Sequence, residues 1–285
     1  MEKFWNILDE RLELVKEALL LRDNLLQGVK AKSSPIHWMY GSVARLNAED
    51  TIDWYLHSGY STISLGYIGI YEMCLAMLGK SNTTQEGHDF ALAVMKHLEE
   101  KAAYWKEHVD GLQGCSVYGT PSESLCYKFN KTLKKRFGEI KGITDKDWVT
   151  NSYHVVVTEE IDAFNKLKFE SEFQKHSKGG MISYIEINDL NKNLEVLDEI
   201  VTYMYENIQY AEINSTGGDV CANCGYQGEM QIADNGHWYC PHCKNTDLSK
   251  MYIVRRVCGY LSDAGNGSGY NFGKTMEMKN RVKHI

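Results

Sequence analysis

A chain of 285 residues, at roughly 150 per domain, is expected to form about two folded units and to bury a real core. Its 43% hydrophobic and 24% charged residues exclude disorder and collagen-like or low-complexity character. With 31 Lys and Arg against 38 Asp and Glu the net charge is −7, so a general electrostatic footprint for nucleic acid or anionic lipid is absent.

No run approaches the roughly 18 uninterrupted apolar residues of a membrane helix. The opening MEKFWNILDERLELVKEALLLRD carries acids and bases through its apolar positions, which reads as an amphipathic helix without a secretory address. Leu12, Val15 and Leu19 share one face of it. STISLGYIGI, residues 61–70, is β-branched and apolar after the turn-prone Ser58 and Gly59, and is expected to be a buried strand. YEMCLAML follows as a helix closed by Gly79, then a long helix carrying Phe90, Val94, Leu98 and Trp105.

After CSVYGT, the run TPSESLCYKFNKTLKKRFG places Thr120, Pro121 and Glu123 as N-cap, N1 and N3 of a capping box. SYHVVV, residues 152–157, reads as a strand leading into a helix capped by Thr158 with Glu159 and Glu160 in its first turn. MISYIEI is a further strand. LNKNLEVLDEIVTYMYENI is a further helix with Leu194, Leu197, Val201, Met204 and Ile208 inward. Strand followed by helix, repeated, predicts an α/β layer or barrel up to about residue 212, where INSTGGDV forms a turn-rich link.

Cys221, Cys224, Cys240 and Cys243 stand as two CxxC pairs with fifteen residues between them, the spacing of a four-thiolate structural zinc site. Gly225 and Pro241 suit the two knuckles. His237 and His242 are read as exposed neighbours of the site. Buried free thiols and an iron-sulfur centre are the weaker readings, because all four cysteines fall in paired knuckles and nothing marks an electron-transfer partner. Four thiolates close the site to water and substrate, and its expected job is to hold the neighbouring tail. The other cysteines considered, Cys74, Cys115 and Cys126, read as small buried hydrophobes. Eight cysteines are too few for a disulfide scaffold, so a reducing cytoplasm is the expected compartment.

Taken alone, Gly259 in VCGYL reads as a strand glycine at a bulge. RRVCGYL at 255–261 and the closing GKTMEMKNRVKHI nevertheless closely resemble the ending of the anaerobic (class III) ribonucleoside-triphosphate reductases. The likeness extends through GYSTISLGYIGIYE, SVYGTPSESLCYKF, VTNSYHVVVTEEI and KFESEFQKHSKGGMISYIEI, and so covers essentially the whole chain.

The resemblance implies the C-terminal half of a ten-stranded α/β barrel of the glycyl radical type. Residues 1–212 would be the barrel half, 213–250 a zinc ribbon, and 251–285 the glycyl radical loop and tail. It implies that a radical-SAM activating enzyme makes Gly259 a radical, and that the stored radical oxidises a cysteine belonging to a separate N-terminal half. The thiyl then drives ribonucleoside triphosphates to deoxyribonucleotides. A homodimer of the completed enzyme is implied as well. Glycine is required there because a backbone radical must flatten, which a side chain would hinder. The tail lacks an extra cysteine pair, so formate is the expected reductant. Cys258 is assigned to packing, since alternation turns it away from its neighbour.

Ser64, Gly66, Tyr67 and Ile68 are substrate candidates, on a strand whose glycines let a nucleotide approach the backbone; ordinary packing glycines are the competing reading. Tyr118 and Asn151 are candidates by family position alone. Two alternatives differ in class. One is a spare glycyl-radical subunit that repairs a damaged reductase. The other is a nucleic-acid-binding zinc ribbon, disfavoured because residues 213–285 carry eight bases against six acids, a balance of only +2. An isolated half barrel would expose strand edges and apolar surface, so poor solubility of the chain alone is expected.

Overall fold

The structure is a computed structural model that describes residues 1–58, 60–190, 193–256, 261–263 and 270–285. The chain divides into two compact units. The first comprises residues 1–66, 94–118 and 177–179; the second comprises 67–93, 119–176 and 180–285. No helix among the described residues is long and apolar enough to cross a membrane.

The first unit is built on α1 (Glu2–Leu25), with two short helices, α2 (Pro35–Trp38) and α3 (Asp53–His57). Leu12 and Leu19 of α1 are buried as their spacing predicts, whereas Val15 stays exposed. Asp9 takes both His97, at 2.8 Å, and Lys101, at 2.9 Å. These partners fix the inward face of α1. The strand expected over 61–70 is shorter: β1 spans Ile63–Tyr67. Gly69 turns left-handed, φ 79°, and caps α4 (Ile70–Leu78), so Ile70 belongs to the helix. A Cβ on Gly69 would come within 2.9 Å of Val149, so a side chain there would be both strained and crowded.

Gly79 ends α4 at φ 68°, as read from the sequence. The long helix is α5 (Gln85–His108), and Phe90, Val94, Leu98 and Trp105 are all buried. β2 (Cys115–Gly119) pairs with β1. The N-cap of the next helix is Ser122 and not the expected Thr120. α6 spans Glu123–Phe137 with Ser122 as N-cap, two residues later than expected, and Asn151 Oδ1 accepts the Ser122 amide at 2.9 Å.

The strand expected at 152–157 is absent. Its backbone groups are satisfied by side chains and the tail instead of a ladder: Asn82 donates to the carbonyls of Tyr153 and His154, and Glu170 accepts the Val155 amide. Thr158 is likewise not a cap. α7 spans Ala163–Gln174, its N-cap Asp162 accepting the Asn165 amide at 2.9 Å, while Glu159 accepts from the Ser81 and Thr83 hydroxyls.

β3 (Ser183–Ile187), α8 (Leu194–Asn207) and β4 (Ala211–Ser215) form a βαβ unit in which the strands are parallel, Glu186 opposite Asn214. Ala163, Leu167, Ile185, Ile187 and Ile200 make its core. The buried face of α8 runs through Val196, Ile200, Met204 and Ile208; Leu194 and Val201 of the expected face are exposed. The link expected from 213 is shorter, since Ile213 to Ser215 belong to β4.

Then follow β5 (Val220–Cys221), β6 (Gln231–Ile232), β7 (Trp238–Tyr239), β8 (Met251–Tyr252), β9 (Val254–Arg256), β10 (Leu261–Asp263) and α9 (Phe272–Lys279). β5 pairs with β8, β6 with β7 and β9 with β10, all antiparallel. The described strands thus pair as five two-stranded sheets.

Candidate functional site

The two CxxC pairs fold as near copies. In the first, Cys221 donates its amide to the Tyr226 carbonyl and accepts Gly225 N–H at 2.8 Å; in the second, Cys240 donates to Asn245 and accepts Lys244 N–H at 2.9 Å. Gly225, φ 73°, and Lys244, φ 60°, occupy the same left-handed position one residue after the second cysteine. The reading at Gly225 stands. The second knuckle makes its turn with a lysine, a strained choice that Pro241 did not signal.

These turns bring four sulfurs together, all within 4.8 Å of one another. Cys221 Sγ lies 3.7 Å from Cys243 Sγ, and Cys224 Sγ lies 3.8 Å from Cys240 Sγ. A tetrahedron with metal–sulfur bonds of about 2.3 Å has edges of about 3.8 Å, so the donor set fits zinc, whereas a disulfide needs about 2.05 Å. The Asn223 side-chain amide and the Asn245 backbone amide draw the Cys243 thiol down, while burial and the neighbouring sulfurs push Cys224 up. His237 and His242 are exposed, and His242 stacks on Tyr226.

The four-cysteine cluster packs directly on the tail. Cys221, Met230, Trp238, Cys240, Met251 and Ile253 share a core with Met278 of α9, and Gly236 lies against the Phe272 ring. β9 leaves this core with two adjacent arginines on opposite sides. Buried Arg255 pairs with buried Asp219 and stacks on Trp238, 5.4 Å from its ring centre. Arg256 reaches the other way, to Glu212 at 2.8 Å, while its amide donates to Asn214 Oδ1. β10 is tied by Tyr270, whose hydroxyl donates to the Ser262 carbonyl; burial pushes that phenol up to about 12.

In the β9–β10 register Arg256 stands opposite Leu261, so residues 257–260 fall between the paired ends. Gly259 and Cys258 are among them and lie outside the described residues. The reading of this glycine as a strand residue at a bulge falls outside the described residues. Sequence reasoning missed Asp219, Glu212 and Asn214 as their supports; the available signal was the Arg-Arg doublet, which a period of two splits to opposite faces.

Ser64 and Gly66 lie on β1 in the first unit, Ser64 lining a 200 Å³ cleft beside His57 and Gln113. Tyr67 and Ile68 belong to the second unit. Asn151 is buried and committed, accepting the Ser122 amide and the Cys126 thiol. Cys74, Cys115 and Cys126 are buried, and burial pushes the first two up to about 11, which suppresses thiolate chemistry.

A four-cysteine cluster packed against the C-terminal helix α9 is the candidate functional centre. Comparison with known proteins identifies its class. The sequence profile of the family described as anaerobic ribonucleoside-triphosphate reductase matches residues 1–284. The chain belongs to that family. It is 38% identical to the anaerobic ribonucleoside-triphosphate reductase of Escherichia coli K12, over 99% of this chain and 39% of the relative. It is 37% identical to that of phage T4, over 99% of this chain and 45% of the relative.

The chain thus spans less than half the length of the curated relatives it matches. Among solved structures it resembles an anaerobic ribonucleotide reductase with TM-score 0.63 at 18% identity, covering 98% of this chain and 39% of that one. It resembles the Thermotoga maritima anaerobic ribonucleotide reductase with glycerol in the active site with TM-score 0.62 at 19% identity, covering 99% and 41%.

Proposed function

We propose that this chain is the C-terminal, radical-bearing portion of an anaerobic ribonucleotide reductase. The match over residues 1–284 carries the reading. A spare radical subunit would need little more than the last segment, so a match over all preceding residues favours a working part of the enzyme. In this reading residues 1–212 are half of a ten-stranded α/β barrel, 213–250 the zinc ribbon and 251–285 the radical loop and tail.

Cys221, Cys224, Cys240 and Cys243 hold zinc, which supplies folding energy and no reactive position. A radical-SAM activating enzyme removes one α hydrogen from Gly259. The radical passes to a cysteine of the complementary N-terminal half, whose thiyl takes the ribose 3′ hydrogen, and the 2′ hydroxyl leaves as water. Formate is the electron donor. Ser64, Gly66, Tyr67 and Ile68 approach the ribonucleoside triphosphate through the backbone.

The test combines this chain with the complementary half, activating enzyme and formate under anaerobic conditions and measures deoxyribonucleoside triphosphate formation. Turnover that requires both halves is expected. Turnover by either half alone would overturn the split assignment.

A further inference from the structure

Five residues at the C-terminus do something the radical chemistry does not ask of them. Val282 donates to the Val157 carbonyl at 2.9 Å, and the His284 carbonyl accepts the Ala163 amide at 3.1 Å. His284 takes both backbone groups of Glu186: its amide donates to the Glu186 carbonyl at 2.8 Å, and its Nδ1 accepts the Glu186 amide at 2.7 Å. Asn188 donates to the Ile285 carbonyl at 2.9 Å. In a parallel pair, successive residues turn their backbone groups to opposite edges, so the tail covers the edge of β3 that β4 leaves free.

The side chain of Glu186 is held as firmly as its backbone. It is buried, with Oε1 2.8 Å from Arg281 Nη1 and Oε2 accepting from Asn214 Nδ2. Arg281 is bound from its other side by Glu277, whose carboxylate burial alone would disfavour; Arg281 and Lys274 overcome that and pull it down to about 2. Asn214 in turn uses its Oδ1 to accept the amide of Arg256. A continuous path of hydrogen bonds therefore runs from His284 and Arg281 through Glu186 and Asn214 to Arg256, three residues before Gly259.

We propose that Glu186 is a positioning residue for the glycine segment, clasped by the C-terminal tail on one side and fixing the exit of β9 through Asn214 on the other. The proposal rests on the reading of Gly259 as the radical site. A purely structural clasp would matter for melting and zinc retention alone. A positioning clasp matters for how readily the activating enzyme can generate and keep the radical.

The experiment uses the chain assembled with its complementary half and treated with the activating enzyme without air. Spins per chain are counted by electron paramagnetic resonance, alongside zinc content and melting temperature. Asn214→Leu removes the link without leaving a charge and should lower spins at least tenfold with zinc retained. The pair Glu186→Gln with Asn214→Asp reverses the polarity of the link, since a glutamine amide can donate to the new carboxylate, which still accepts from Arg256; it should restore most of the signal.

Removing His284 and Ile285 leaves the Arg281 pair intact and should also lower spins, and it decides the matter if Asn214→Leu fails to fold. Full spin yield in a folded variant would overturn the proposal. So would spin loss accompanied by loss of zinc or of the cooperative melt, which would make the network general fold support. A wild-type assembly with no signal would instead sink the Gly259 reading and is distinguishable on that ground.

Discussion

Helix α1 of the first unit leaves Ile7, Leu14, Leu21 and Leu25 exposed, Leu25 at 70% of its full area. Sevenfold spacing drifts by only about 20° per step, so Ile7, Leu14 and Leu21 form one stripe, joined by Leu25 one turn after Leu21, opposite the face that Leu12 and Leu19 bury. The second unit does the reverse with polar matter. Lys166 and Glu170 pair at 2.5 Å in its interior, and Arg281 sits between Glu186 and Glu277, all five buried or nearly so. One unit shows apolar surface awaiting a cover, whereas the other has already compensated charges that would be costly to bury alone.

The largest effect expected to sharpen this contrast comes from the metal. Chelation, or Cys221→Ser, should remove on the order of 10 kcal/mol of folding energy from the ribbon and release the packing of Met278. Calorimetry with metal analysis checks it; a ribbon transition unchanged after complete zinc loss would break the account of the second unit.

Next comes pH. Burial, with Lys166 nearby, pushes His154 down to about 4 and His284 down to about 3. Both stay neutral when folded, while the unfolded chain takes up protons below about 6.5. Their contribution is therefore complete above about pH 6.5 and is lost as pH falls toward about 4 and about 3, at about 1.4 kcal/mol per pH unit for each histidine. Denaturant midpoints at pH 7, 6 and 5 should fall accordingly, and His284→Gln, which keeps an acceptor for the Glu186 amide, should flatten the slope. A flat wild-type profile would contradict the burial argument.

The smallest effect on stability, within about 0.5 kcal/mol, is expected from Leu14→Glu with Leu21→Lys on the exposed stripe. The same pair should nevertheless sharply reduce self-association of the isolated chain and its binding to the complementary half. Sedimentation of variant and wild type compares the two. Equal behaviour would mean the stripe is not a contact surface.

Much of this was legible in the sequence where one short pattern dictates one geometry. Two CxxC pairs bring four sulfurs together, Gly79 ends a helix, and Phe90 to Trp105 keep a helical period throughout; each is found as read. The failures share a cause. SYHVVV has the composition of a strand, but Asn82 and Glu170, distant in sequence, take its backbone groups. Thr120 has the chemistry of a cap, but the helix begins after Ser122, whose amide Asn151 accepts from 29 residues away. The partners of Glu186 could not be read at all, because they stand 28 to 98 residues from it and follow no spacing rule.

The central claim is that the chain stores an unpaired electron on Gly259. After activation of the assembled reductase without air, electron paramagnetic resonance should show the doublet of a single α hydrogen coupled to a backbone radical, absent in Gly259→Ala. A signal that survives that substitution, or an active assembly without one, would contradict the account.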